Sequence, residues 1–145
     1  MNIQLVDNGL VAEDYIRLRS EVGFSKTPLE QTEKSLKNGL FSVVAECDGK
    51  HVGMGRLVGD GIMYWYIQDV AVLPEYQGKG IGKAIVKRLM QYVEENSIPG
   101  TYTTIGLMAA KGKDEFYEKL GFISRPSDTF GPGMMKRFLV EDNQK

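Results

Sequence analysis

Val70-Ala71-Val72-Leu73-Pro74-Glu75-Tyr76-Gln77-Gly78-Lys79-Gly80-Ile81-Gly82-Lys83 is the stretch on which the fold turns. An apolar, β-branched run reads as a strand. It passes through a proline- and glycine-rich turn into Ile81, Ile85, Leu89 and Val93, which mark one face of a helix. The first turn of a helix carries unsatisfied N–H groups and a partial positive charge. Glycines let an anion approach that backbone closely, and Lys79 and Lys83 add formal charge. The stretch therefore reads as a cradle for a phosphate-bearing ligand.

Glycine spacing separates the kinds of phosphate site. A Walker loop needs a glycine five residues before its Gly-Lys pair, and Ser or Thr after it. Here the pair is Gly82-Lys83, the earlier position is Gln77 and the following residue is Ala84, so that motif is absent. A dinucleotide fingerprint needs G-x-G-x-x-G after a first strand. Gly78, Gly80 and Gly82 are spaced two apart and lie mid-chain, so that motif is absent too.

Around this segment the chain reads as one domain over 1–145. Its 145 residues suffice for a core, and 42% hydrophobic with 26% charged residues is the balance of an ordinary globule. A strand is expected at 3–6 and a helix at 12–22. Thr27-Pro28-Leu29-Glu30 opens a second helix, with Thr27 as cap and Glu30 completing a capping box, ending near Asn38-Gly39. Strands follow at 41–46, 52–58 and 62–72, joined by the turn signals Asp48-Gly49 and Gly59-Asp60-Gly61. After the central helix come a strand at 103–108, a helix at 113–120 stopped by Gly121, and closing strands at 122–124 and 134–140. The order β-α-α-β-β-β-α-β-α-β-β implies an α/β (α+β) fold: a central mixed, mainly antiparallel sheet of about seven strands, with about four helices on its two faces.

Composition excludes several classes. The formal net charge of −1 and the lack of a basic stripe argue against nucleic acid as partner. No run approaches the roughly 20 apolar residues of a membrane span, and no secretory signal is visible at the N-terminus. The single cysteine, Cys47, suits a reducing cytoplasm and rules out an internal disulfide. His51 and Cys47 have no partner pattern and no metal motif is present.

Gln77-Gly78-Lys79-Gly80-Ile81-Gly82 resembles the signature of the GNAT acetyltransferase superfamily: Gln or Arg, two residues, Gly, one residue, Gly or Ala. A second block, Phe116-Tyr117-Glu118-Lys119-Leu120-Gly121-Phe122, is similar to the family's Phe-Tyr-x-x-x-Gly-Phe element. The resemblance follows the element order along nearly the whole chain and is specific in these two blocks. It implies that the loop and helix start (Gln77, Gly78, Lys79, Gly80, Ile81, Gly82, Lys83) bind the pyrophosphate of acetyl-CoA, the co-substrate, while the backbone of Val70, Ala71 and Val72 pairs with the pantetheine arm. It implies an N-acetyltransferase that moves the acetyl group to a primary amine by direct attack, with a small-molecule amine as acceptor and no metal. The alternatives are a protein lysine or N-terminal acetyltransferase, and a non-catalytic acyl-CoA-binding module. Homodimers occur in the family, and nothing in this sequence decides that point.

By the same resemblance Tyr117 donates a proton to the leaving sulfur; a tyrosine pKa of about 10 keeps it protonated at neutral pH. The oxyanion donor is a backbone N–H, with Val70 as candidate. Gln68 stands where some relatives carry a Glu, which leaves Asp69 as the nearest carboxylate, with three open roles: base, counter-charge for an ammonium, or structural hydrogen-bond acceptor. Strand alternation places Gln68 and Asp69 on opposite faces. Ala110 stands where many relatives have an Asn that holds the cofactor arm. Phe24, Tyr64, Tyr66, Phe130 and Met134 are candidates for the acceptor side or for core. The loop 126–133 reads as a rigid lid edge carrying Asp128.

Overall fold

A computed structural model describes residues 2–142. The chain falls into two compact units that meet at Leu107/Met108.

The first unit runs β1 (Ile3–Asp7), α1 (Ala12–Glu21), α2 (Leu29–Lys37), β2 (Phe41–Cys47), β3 (Lys50–Gly59), β4 (Tyr64–Val72), a 3-10 turn (Pro74–Tyr76), α3 (Ile81–Asn96) and β5 (Thr104–Gly106). The five strands form one sheet in chain order. The first three pairings are antiparallel and β4–β5 is parallel. The expected mixed, mainly antiparallel sheet is therefore present, with α1 and α2 on one face and α3 on the other.

Chain chemistry explains the hairpins. At the β2–β3 turn Asp48 and Gly49 both take positive φ, the conformation an Asp-Gly turn favours. Between β3 and β4 the Asp60 carboxylate accepts the N–H groups of Ile62, Met63 and Tyr64 at 2.8, 2.8 and 3.0 Å, which holds its carboxyl below the usual range. The start of α2 differs from the expected capping box. Pro28 is the N-cap, no side chain caps the helix, and Thr27 is within 2.7 Å of the Thr32 hydroxyl instead.

The core lies on both sides of the sheet. Leu18 of α1, Met54 and Leu57 of β3, and Ile85 and Leu89 of α3 are fully buried, each such side chain contributing about 1.5–3 kcal/mol of transfer free energy. Two strand glycines set how closely α3 approaches. A Cβ on Gly55 would lie 2.7 Å from Ile85 Cγ2 and 3.1 Å from Leu89 Cδ1; one on Gly53 would lie 3.1 Å from Ile85 Cδ1. Above them Tyr92 stacks on Phe41 at 3.9 Å and meets Trp65 edge-on at 6.1 Å.

The second unit contains α4 (Asp114–Glu118), ended by Gly121 at φ +96°. Phe116, Tyr117 and Phe122 form an edge-to-face cluster with centroids 4.9 and 5.9 Å apart. Residues 122–124 and 134–140 were expected as closing strands, but among the described residues neither forms one. The sheet thus has five strands rather than about seven. A β-branched apolar run becomes a strand only when a neighbour supplies its ladder and covers its face. Here Ile123, Phe138 and Leu139 are 73%, 76% and 96% exposed.

Candidate functional site

The site begins where β4 leaves regular pairing. In the β3–β4 register Met54 faces Ala71 and Arg56 faces Gln68, so Gly55 stands opposite the two residues Asp69 and Val70. This is a β-bulge, with Asp69 in the left-handed region at φ +59°. On its other edge β4 pairs with β5 only from Tyr64 to Tyr66. From Ile67 onward, among the described residues, no strand covers that edge. Residues 70–72 therefore present backbone groups along an open strand edge, which is what an amide-bearing arm needs in order to pair there.

The bulge also changes which side chains share a face. Arg56 is the register partner of Gln68, so both leave the sheet toward α1 and α2. Asp69 reaches the same side, where it meets Tyr15 and Arg19 of α1. Strand alternation, which would separate Gln68 from Asp69, fails at the inserted residue.

Asp69 is 6% exposed and fully engaged. Tyr15 Oη and Arg56 Nε donate to Oδ2 at 2.7 and 3.0 Å, and Arg19 Nη1 donates to Oδ1 at 2.6 Å. Both oxygens thus act as acceptors, one of the three roles open for this carboxylate. Burial, then the bond to Asp69, pushes the Tyr15 hydroxyl up to about 12, so at neutral pH it is a donor. Arg56 also reaches Ser35 Oγ at 2.8 Å and ties α2 into the cluster. Beside it lies a small cavity of about 50 Å³, bordered by Leu36 and Phe41.

Past the bulge, β4 runs through the 3-10 turn to the helix. The Gln77 side chain donates from Nε2 to the Val72 carbonyl at 2.9 Å, closing the turn on itself. Gly78 and Gly80 take φ +76° and +82°, and a Cβ on either would meet nothing within 4 Å. Gly80 is the N-cap of α3; no side chain caps this end, and its first turn holds no acidic residue. The 16 residues of α3 put an aligned dipole behind the open N–H groups. Lys79 and Lys83 are exposed at its mouth. Arg88, farther along the same helix, is paired with Asp7 at 2.8 Å and lies over Phe41. The residues present fit a diphosphate: donors, positive charge and glycines with open space above them.

In the second unit Tyr117 sits in the ring cluster, half-buried, and burial pushes its hydroxyl above the ordinary tyrosine value. Ala110 and Lys111 are exposed. Loop 125–131 is braced by Arg125 Nε donating to the Gly131 carbonyl at 2.6 Å and by Arg125 over Phe130. Asp128 is exposed on that loop, and Phe130 and Met134 are 52% and 84% exposed, so neither is core. In the first unit Tyr64 is 59% exposed, Tyr66 half-buried, and Phe24 lies over Arg19. Tyr15, Arg19 and Arg56 escaped the sequence reading. Their only mark is ordinary: residue types of a charged helix and a strand, with no spacing that links them to Asp69.

A mixed sheet whose bulged fourth strand parts from the fifth and feeds a glycine-rich helix start defines an α/β architecture with an open, positively charged helix end at its centre. The GNAT acetyltransferase domain model matches residues 38–124, and the chain belongs to that family. It is 34% identical over 119 residues to the "Uncharacterized N-acetyltransferase ycf52" of Pyropia yezoensis, covering 79% of this chain and 66% of that one. A probable acetyltransferase of meticillin-resistant Staphylococcus aureus superposes with a TM-score of 0.82 at 33% identity, covering 94% of this chain and all of that one. Two plant relatives carry more specific names: histone acetyltransferase TAP1 of Glycine max (30% identity; 81% of this chain, 54% of that one) and chloroplastic serotonin N-acetyltransferase 2 of Oryza sativa (29%; 83% and 58%). The chain spans between 50% and 72% of the length of curated relatives it matches, and 66% of the Pyropia yezoensis relative. Among the described residues no helix is long and apolar enough to cross a membrane, and no group of His, Cys, Asp and Glu could hold a metal ion.

Proposed function

We propose that this chain, as one GNAT-type domain, transfers the acetyl group of acetyl-CoA to the primary amine of a small molecule by direct attack in a ternary complex. The open, positively charged cradle at the end of a bulged strand is the observation that carries this reading. Acetyl-CoA supplies the activated acyl group. Gly78, Gly80 and the first turn of α3 hold its diphosphate, with Lys79 and Lys83 neutralising charge, and the exposed edge at residues 70–72 aligns its arm.

Chemistry then asks three things of the chain. The Val70 N–H, at the bulge where Val70 has no register partner on β3, stabilises the carbonyl oxygen as it gains charge. The amine nitrogen bonds to the carbonyl carbon as the carbon–sulfur bond breaks. Tyr117, held protonated by burial, gives its proton to the leaving thiolate. The proton lost by the amine passes to water. Asp69, whose two oxygens already accept from three donors, orders the bulge in this scheme rather than taking that proton.

The acceptor enters beside α1, α2 and the loop between them. A small amine is supported by the likeness to a relative named for serotonin; the relative named for histone supports a protein acceptor as second reading. Buried, unpaired Cys47 suits a reducing compartment such as the cytoplasm.

The test is release of free thiol from acetyl-CoA against polyamines, arylalkylamines, aminosugars, amino acids and a lysine peptide, for wild type and Tyr117→Phe. Amine-dependent release is expected, with kcat lower by about 10²–10⁴-fold in the variant. A preference for the lysine peptide would move the assignment to proteins. Acetyl-CoA binding without release on any amine would leave a binding module.

A further inference from the structure

Arg19 is engaged on two sides at once. From the last turn of α1 it sends Nη1 to Asp69 Oδ1 at 2.6 Å, within the β4 bulge. Its remaining donors go the other way. Nε and Nη2 reach the Ser25 carbonyl at 3.1 and 2.8 Å, and Nη2 also reaches Ser25 Oγ at 3.1 Å. The guanidinium lies over the rings of Tyr15 and Phe24, 5.5 and 5.4 Å from their centroids. Ser25 and Phe24 belong to the irregular segment 22–28 that joins α1 to α2 and contains Gly23 at φ +83°.

Little else orders that segment. The turn after α1 is closed by Gly23 and Phe24 donating to the carbonyls of Ser20 and Arg19, and Thr27 meets Thr32 at the start of α2. Between these ends, among the described residues, the side chain that holds the Ser25 peptide is Arg19, and the other end of Arg19 is fixed by the bulge. A planar fork spans the two acceptors by donating from separate nitrogens, Nη1 on one side and Nε and Nη2 on the other; a lysine has its three donors on one nitrogen at the end of a flexible stem and lacks that fixed span.

We propose that Arg19 is a positioning residue that ties segment 22–28 to the β4 bulge, so that acetyl-CoA binding along β4 orders this segment on the acceptor side before the amine arrives. The inference rests on the acetyl-CoA reading above. Physically it is coupling through order: a ligand that stiffens the bulge removes freedom from Asp69, hence from Arg19, hence from the Ser25 peptide.

Hydrogen exchange read by mass spectrometry on the full chain, with and without acetyl-CoA, tests it for wild type and Arg19→Lys, with melting curves to confirm that the variant folds. Acetyl-CoA should slow exchange over residues 70–83 in both proteins. Over residues 22–28 it should slow exchange about fivefold or more in wild type and less than about twofold in the variant. Protection at 70–83 with none at 22–28 in wild type overturns the proposal, and this arm needs no variant. Full loop protection in Arg19→Lys overturns it as well. No protection anywhere would overturn the acetyl-CoA site itself, and the coupling with it.

Discussion

Gly80→Ala and Gly100→Ala form a matched pair that separates a backbone cost from a binding cost. The two glycines have nearly the same φ, +82° and +81°, and at each an added Cβ meets nothing within 4 Å. Forcing alanine into the left-handed region costs about 1–2 kcal/mol, so each variant should melt about 3–8 °C lower for a chain of this size. Their places differ. Gly80 is the N-cap of α3, whereas Gly100 sits in the turn that follows α3, where the Thr101 N–H meets the Ile98 carbonyl. Alanine at position 80 relieves its strain by rotating toward negative φ, which swings the first-turn N–H groups off the ligand. Losing one charge-assisted hydrogen bond, worth about 1.5–3 kcal/mol, raises Kd about 10- to 100-fold. Calorimetric titration with acetyl-CoA should therefore show that loss for Gly80→Ala and a change within about twofold for Gly100→Ala. Melting with ligand at 100 times Kd gives a second reading, since wild type should gain about 2.7 kcal/mol. Equal Kd values for both variants and wild type would refute the cradle; equal losses in both variants would show that the effect is global.

Other expectations follow from the same geometry. Gly55→Ala puts a methyl 2.7 Å from Ile85 Cγ2, so it should destabilise by about 1–3 kcal/mol in urea unfolding; an unchanged midpoint would mean that α3 shifts freely on the sheet. Tyr15 is raised from 10.0 to about 12. Its contribution is fully present below pH 10 and is lost as pH rises from about 10 to 12, a fall of about 1–3 kcal/mol that Tyr15→Phe should flatten in urea midpoints measured across that window. Tyr117 is raised by burial, so the kcat profile of wild type should show no loss from its ionisation below pH 10; a limb falling near neutrality and absent in Tyr117→Phe would contradict its role as acid.

The sequence by itself determined the elements whose signal is local. Strand β2, the C-terminal end of β4, the apolar face of α3 and the Asp48-Gly49 hairpin follow from period and turn chemistry, and the glycine-rich stretch after β4 marks where α3 starts. Those features need only neighbours in the chain. Tertiary structure decided the rest, because the forces lie between residues far apart. The bulge at Asp69 depends on Tyr15, Arg19 and Arg56, which are 54, 50 and 13 residues away, and no periodicity announces an inserted residue. Closeness of α3 to the sheet depends on Gly53 and Gly55 facing Ile85, a match invisible until β3 and α3 are stacked. The apolar runs at 122–124 and 134–140 show the limit from the other side. Composition marks them as strands, but a strand is completed by a partner's hydrogen bonds, and those come from tertiary structure rather than from the segment itself.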